Sequence, residues 1–344
     1  MRILIDIQHP AHIHFFKNAA RILEQKGYTI IWTGRNKDIV VDLAREYKLP
    51  MRVFGTAKKG VLNLGLELVY RQAILWRIAR KEKPDCMIAI AGTFISFVGK
   101  MLRIPTHVFC DSEFATVSHW LSFPFATHIY VPECYEKQLP WKHTKYRGSH
   151  DLAYLHPKRF TPDARVLTSL GLRKDETFFV MRFVSWEAGH DIGQHGFTIE
   201  GKHRMVDLLK KHGRVIISSE APLPREFEPY RMSLCPTKIH DLLYYSKMYI
   251  GDGGTMTTEA AVLGTPAVLV TTLTAGVFRD FEETYDLMYL FKDESLAIKK
   301  VEDLLQQHDL KAEWRAKRLK MLQNKIDVTQ FIVDILTKSS PACH

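Results

Sequence analysis

Short apolar runs rich in β-branched residues alternate with longer amphipathic segments along most of this chain, and that alternation restricts its fold more than any other feature. Before residue 135 the runs "RILIDI", "YTIIWTG", "MRVFG", "DCMIAIAG", "THVFCD" and "HIYVP" read as strands, while 13–26, 37–48, 61–82 and 94–103 read as helices. Such an order builds a parallel sheet covered by helices. The segment "YRGSHDLAYLHPKRFTPDARVLTSLGL" holds no sustained period and reads as an interdomain linker. The alternation then resumes with "TFFVMRFV", "RVIISSE", "MYIGDG" and "PAVLVTT" as strands and helices near 201–212, 238–246, 255–263 and 294–307. The stretch 310–337, free of glycine and proline, reads as one helix. The expected fold class is therefore α/β, with two Rossmann-like doubly wound domains at 1–155 and 156–320. A C-terminal helix and tail follow at 321–344, for which packing back on the first domain is one arrangement. Ligands of open parallel sheets sit beyond the carboxyl ends of the strands, so two such domains facing each other are expected to form a central cleft.

Composition narrows the class further. With 344 residues, 46% of them hydrophobic and 25% charged, the chain has material for two cores and is not disordered. The opening "MRILIDI" meets Asp6 after three apolar residues, which is unlike a secretory signal, and the longest uncharged run is split by Gly264-Thr265-Pro266, which is unlike a membrane span. The five cysteines are odd in number and form no C-x-x-C, which fits a reducing compartment. A soluble, cytoplasmic protein is expected. The excess of 48 Lys and Arg over 38 Asp and Glu gives +10 and suggests an anionic partner: a nucleotide, a nucleic acid or a membrane surface.

The stretch "GDGGTMTTEAAVLGTP" ends a strand and starts a helix. Amides around Gly253, Gly254 and Thr255 would then lie at the positive end of a helix dipole and receive an anion, with Glu259 a turn further on to accept from a ribose diol. The simpler alternative is a strand-to-helix turn with Thr255 as the N-cap.

"GGTMTTEAAVLGTPAVLV" resembles the donor-nucleotide signature of GT-B glycosyltransferases and of the related non-hydrolysing UDP-N-acetylglucosamine 2-epimerases. The stretches "DIQHPAHIHFF", "DSEFA", "YLHP", "RFVSWEAGHD" and "GDGGTMTTEAAVLGTP" are similar to an archaeal and bacterial family, domain of unknown function 354. The resemblance implies a GT-B fold, in which a glycine pair meets the diphosphate and a glutamate holds the ribose. It carries a reaction only by analogy.

In "HPAHIHFFKN", His9, His12 and His14 stand where the first strand passes into the first helix. Against GT-B transferases such as the one that adds N-acetylglucosamine to lipid I, His12 takes the place of a histidine that ends a glycine-rich loop, although His9-Pro10 replaces the glycines. A helix N-terminus disfavours the imidazolium, leaving a neutral ring suited to a general base. His-x-His after a first strand also opens metal-dependent amidohydrolases, which need an eight-stranded barrel. Helix capping and packing is a third reading, most natural for His14 beside Phe15 and Phe16.

"CDSEFA" places Asp111 and Glu113 after a strand; Glu113 aligns loosely with a catalytic glutamate of the epimerases, and capping of a following helix by Asp111 and Ser112 is the alternative. The epimerases' Gly-Asp-Thr reads Ala91-Gly92-Thr93 here, so one acid/base group is missing and the resemblance favours a transferase. Arg182 emerges from "MRFVSWEAGHD" where a base meets the diphosphate; His190 and Asp191 either bind substrate or pair with each other. Ser219, Glu220 and Ile239 occupy positions that commonly line a nucleobase pocket. Finally, "KKGVLNLGLELVYRQAILWRIARK" combines an apolar stripe with a basic rim, suited to the surface of an anionic bilayer or to packing on its own sheet.

The expected function is a metal-independent glycosyltransferase (a hexosyltransferase) with a UDP-sugar donor, no cofactor, and a cell-surface or lipid-linked glycan as acceptor, with peripheral contact at the inner face of the membrane. His12 or Glu113 would be the base; Arg182, Gly253, Gly254 and Thr255 would take up the leaving diphosphate. An epimerase and a non-enzymatic basic nucleotide- or nucleic-acid-binding protein are the alternatives, although no nucleic-acid-binding motif is present.

Overall fold

The computed structural model describes residues 1–56, 61–173, 175–183, 195–219 and 222–338. These divide into two units, Met1–Tyr154 with Ile326–His344, and Leu155–Lys325.

The first unit runs β1 (Arg2–Ile7), α1 (Pro10–Gln25), β2 (Thr29–Asn36), α2 (Val40–Glu46), β3 (Arg52–Thr56), α3 (Val61–Glu82), β4 (Cys86–Ile90), α4 (Ile95–Leu102), β5 (Thr106–Phe109), α5 (Thr116–Ser122), β6 (His128–Pro132), β7 (Thr144–Tyr146) and, at its border, α6 (Leu152–Leu155). Its seven strands are all parallel, in the order β3-β2-β1-β4-β5-β6-β7. The central strands are near-continuous apolar runs because helices cover both faces of such a sheet. One polar group breaks β1: Asp6, fully buried, accepts from the Arg71 guanidinium of α3 at 3.0 and 3.3 Å and from the Thr33 hydroxyl at 2.9 Å. Burial holds the Asp6 carboxyl above its usual range against the opposing guanidinium. Around that pair, α3 turns Glu67, Arg71, Leu75 and Ala79 inward at a four-residue spacing, and Leu75 and Ala79 pack with Leu4, Met87, Phe94 and Val98.

The second unit runs α7 (Arg165–Ser169), β8 (Phe178–Phe183), α8 (Ile199–Leu209), β9 (Arg214–Ser219), α9 (Ile239–Tyr245), β10 (Met248–Gly251), α10 (Gly254–Leu263), β11 (Ala267–Val270), α11 (Gly276–Arg279), β12 (Met288–Phe291), α12 (Glu294–Leu305) and α13 (Leu310–Asn324). Its five parallel strands lie in the order β12-β11-β10-β8-β9. The first sheet reverses its strand order between β1 and β4, the second between β8 and β10. Those are the points at which open parallel sheets take ligands. Two open sheets also overturn the amidohydrolase reading, which requires one closed eight-stranded barrel.

Two local expectations are corrected. The stretch 310–337 is two helices, not one: α13 ends at Asn324, Lys325 is extended, and α14 (Val328–Lys338) begins anew. The break needs no glycine or proline because polar contacts impose it. Lys325 Nζ lies 2.7 Å from Asp280 in the second unit, Ile326 N–H donates to the Arg147 carbonyl of the first, and Asp327 Oδ1 accepts from the Gln330 amide at 3.2 Å. From there α14 packs on α1, and its Phe331 ring lies 5.2 Å from Tyr146. The segment read as a linker contains the end of β7, α6 and α7, and the border between the units falls within it, between Tyr154 and Leu155. The N-cap of α10 is Gly253, not Thr255. Among the described residues no helix is long and apolar enough to cross a membrane.

Candidate functional site

In the first unit, chemistry-bearing side chains gather at the carboxyl ends of β1, β5 and β7. After β1 the chain turns into α1 at His9, which has extended backbone and caps the helix: its Nδ1 accepts from the Ala11 amide at 3.2 Å, and Pro10 presets the first helical φ. One turn on, His12 Nδ1 accepts from the Gln8 amide at 3.3 Å. The His12 imidazole is held well below the usual histidine range, by burial first and then by the fields of His9, His150, Lys37 and Arg35. A neutral ring whose Nδ1 is an acceptor carries its proton on Nε2. His12 therefore offers a hydrogen-bond donor, not a lone pair. His14 points into the core, 5% exposed, with its ring 5.3 Å from Tyr154 and edge-on to Tyr47.

Beyond β4 the backbone takes two successive left-handed residues, Ala91 (φ 61°) and Gly92 (φ 65°). A Cβ on Gly92 would lie 2.5 Å from Val108 Cγ2, so only glycine fits there.

Beyond β5, Asp111 does not cap α5, whose N-cap is Ala115 with no side-chain cap hydrogen bond. Asp111 Oδ2 instead accepts from His150 Nδ1 at 2.9 Å, and Oδ1 accepts from the Ser112 hydroxyl at 3.0 Å. Burial pushes the Asp111 carboxyl up, but the His150 imidazole and the Ser112 hydroxyl outweigh it and leave the group below the usual carboxylate range. Glu113 is tied elsewhere: its Oε1 accepts from the Glu136 amide at 3.2 Å and its carbonyl from Lys137 Nζ.

His150 is the residue that sequence reasoning missed. It follows β7 in the turn after Gly148, it is 8% exposed, and its ring packs 4.5 Å from Phe15. Nδ1–H is given to the Asp111 carboxylate, which in the neutral ring leaves the lone pair on Nε2. That atom is buried and has no hydrogen-bond partner among the described residues. A histidine oriented by a carboxylate with its second nitrogen unpaired is the arrangement of a general base.

In the second unit, Arg182 leaves β8 between Ser218 of β9 and Gly251 of β10. Its guanidinium donates to the Ser218 hydroxyl at 2.6 Å. At the end of β10 the chain enters α10 with Gly253 as an N-cap that provides no side-chain hydrogen bond. Gly253 and Gly254 are half-buried and Thr255 is exposed. Gly254 is fixed by sterics, since a Cβ there would lie 2.5 Å from the Phe278 ring. The Thr257 and Thr258 hydroxyls bond to the Gly253 and Thr255 carbonyls, so the turn is held by its own side chains. Glu259 is 4% exposed, and its Oε1 accepts from His240 Nε2 at 3.0 Å. Ile239, half-buried, is the first residue of α9, and Ser219 ends β9. His190, Asp191 and Glu220 lie outside the described residues. Among the described residues no group of three or more His, Cys, Asp or Glu is placed to hold a metal ion.

Residues 1–339 match the family described as "Protein of unknown function (DUF354)". The uncharacterised protein MJ0665 of Methanocaldococcus jannaschii is 25% identical over 285 residues, covering 77% of this chain and 80% of that protein. Among solved structures, the UDP-GlcNAc 2-epimerase of Neisseria meningitidis bound to UDP-GlcNAc is similar with a TM-score of 0.67 at 13% identity, covering 98% of this chain and 100% of that one. The glycotransferase of kitacinnamycin is similar with a TM-score of 0.63 at 11% identity, covering 99% of each chain. At such identities the likeness is one of fold: the chain has the GT-B-like fold that these epimerases and glycosyltransferases share.

Proposed function

We propose that the chain, which belongs to the DUF354 family, is a glycosyltransferase that binds a UDP-sugar in its second unit and uses His150 of the first as its base. The observation that carries the base assignment is the Asp111–His150 pair with its unpaired Nε2. In this reading His150 Nε2 takes the proton of an acceptor hydroxyl, the acceptor oxygen bonds to the sugar's anomeric carbon, and the bond from that carbon to the diphosphate oxygen breaks. The departing diphosphate gains negative charge. Amides at the start of α10 and the Arg182 guanidinium at the neighbouring strand end are the groups proposed to receive it. Glu259, oriented by His240, is proposed to accept from the ribose, and Ser219 and Ile239 to border the base. His12, as an Nε2–H donor, is suited to hold an acceptor or phosphate oxygen rather than to remove a proton. Fold neighbours bound to UDP or UDP-GlcNAc support the choice of nucleotide.

The epimerase reading has fold likeness on its side, but Ala91-Gly92-Thr93 at the end of β4 supplies no carboxylate for the second proton transfer. Incubation in deuterium oxide separates the two. A transferase releases UDP only when an acceptor is added and leaves the donor sugar free of deuterium, whereas an epimerase labels the ring with no acceptor present. Calorimetry with UDP tests the donor site itself: Glu259→Ala and Arg182→Ala should each weaken binding by roughly tenfold or more. Unchanged affinity in both would remove the nucleotide assignment.

A further inference from the structure

The inward residues of α3 leave a face that the sheet does not use. Leu66, Val69 and Tyr70 of α3 are 70%, 67% and 54% exposed. Neighbouring helices continue the pattern: Met101 of α4 is 62% exposed, and Val117 and Trp120 of α5 are 74% and 63% exposed. These three helices touch in sequence, α3 on α4 and α4 on α5, while α1 packs with α2 and α14 instead. Scattered surface leucines need no explanation, but large apolar side chains on three adjoining helices do.

Charge on the same helices has one sign. Arg77, Arg80 and Lys81 are exposed on α3, and Lys100 and Arg103 at the end of α4. Only two carboxylates occur on the three helices, and both are already engaged: Glu67 is buried with Arg35, and Glu82 pairs with Arg2 and Arg52. Arg80 lies over the Trp76 ring, 4.7 Å from its centroid, so its charge is carried at the edge of an aromatic surface.

We propose that the outward faces of α3, α4 and α5 dock the protein on an anionic lipid bilayer. Aliphatic side chains enter the acyl boundary, tyrosine and tryptophan settle at headgroup level, and the basic residues reach phosphate. A second copy of this chain fits less well, because a self-complementary contact would bring uncompensated arginines together. Nucleic acid would satisfy the charge but gives Leu66, Val69, Met101 and Val117 nothing to bury against.

The test is co-sedimentation of the full chain with vesicles of phosphatidylcholine alone or with phosphatidylglycerol added, in the absence of nucleotide, so that the outcome is independent of the proposed sugar chemistry. Binding is expected to the phosphatidylglycerol vesicles, to weaken with salt, and to be much lower on phosphatidylcholine. Val69→Asp with Val117→Asp should reduce it on the order of tenfold or more. Arg77→Glu with Arg80→Glu, which leaves the apolar surface intact, should reduce it by about fivefold per residue. Unchanged circular dichroism of each variant keeps loss of fold out of the result. Absence of binding to either vesicle, or binding insensitive to both pairs of substitutions, overturns the proposal. So does light scattering that shows a dimer which Val69→Asp converts to a monomer, because the face would then belong to a second copy.

Discussion

His150 and Asp111 stand 39 positions apart in the sequence yet share a 2.9 Å hydrogen bond, with Nδ1–H given to the carboxylate and Nε2 left unpaired. His12, on the neighbouring loop, has the opposite polarity: Nδ1 accepts a backbone amide and Nε2 carries the proton. The two histidines thus present different atoms, His150 an unpaired Nε2 and His12 an Nε2–H, and the proposed roles of base and donor rest on that difference.

Substitution should separate them. His150→Gln is expected to lower kcat by roughly 10²- to 10⁴-fold with UDP affinity unchanged, and Asp111→Asn to act in the same direction by disturbing the tautomer. His12→Gln keeps both an acceptor and a donor, so its cost should stay near tenfold. Equal losses in His12→Gln and His150→Gln would contradict the division of roles.

Gly254 faces the Phe278 ring so closely that a methyl group would sit 2.5 Å from it. Gly254→Ala should cost about 1–3 kcal/mol of stability by overpacking and should displace the start of α10. Removing the obstructing ring in Gly254→Ala/Phe278→Ala should recover part of the nucleotide affinity lost in the single variant. Calorimetry and thermal melts on the two single variants and the double read both effects.

Arg71 and Asp6 form an ion pair with both side chains at 0% exposure. Breaking it from one side, as in Arg71→Met, leaves a buried carboxyl without its partner and should destabilise the first unit by about 3–5 kcal/mol. Replacing both, as in Arg71→Met/Asp6→Val, should be far less harmful than the single change. Denaturant midpoints of the three chains check the order.

Two buried histidines set an acid limit. Burial, with the field of His128, pushes His107 down to about 3, and burial, with Lys137, pushes His119 down to about 4. The unfolded chain takes up these protons near pH 6.5, whereas the folded chain refuses them until far lower. Between those values the unfolded state binds more protons, so stability is intact above about pH 6.5 and falls as pH drops through that window. At pH 5 the loss is about 2 kcal/mol for each histidine. Tm should therefore decline from pH 7.5 to pH 5, and His107→Leu should flatten the slope by about one histidine's share.

The parts of this molecule that local pattern governs were legible in its sequence. β1 reads directly from "RILIDI" and α3 from the amphipathic stretch 61–82, although the inward face of α3, which holds Glu67 and Arg71, does not follow from its apolar residues. β7 was missed because "TKY" is three residues at a sheet edge and needs no apolar run, and β12 because "MYLF" is too short to be told from a loop anchor. The break after α13 left a weak trace, Asp327 three residues before Gln330, which is a helix-start pattern inside an otherwise helical stretch. Within the candidate site, the glycines near α10 and the histidines after β1 could be found by position. His150 could not, since its partner is fixed only when β5, β6 and β7 lie side by side.

The return of the chain through Lys325–Asp327 has a consequence for biosynthesis. α14 belongs to the unit that starts with β1, so the ribosome must make all of Leu155–Lys325 before that helix can emerge. The unit whose synthesis starts first is thus completed second. Until α14 arrives, the aromatic surface of Phe109, Tyr130 and Tyr146 that receives Phe331 is open in the nascent chain.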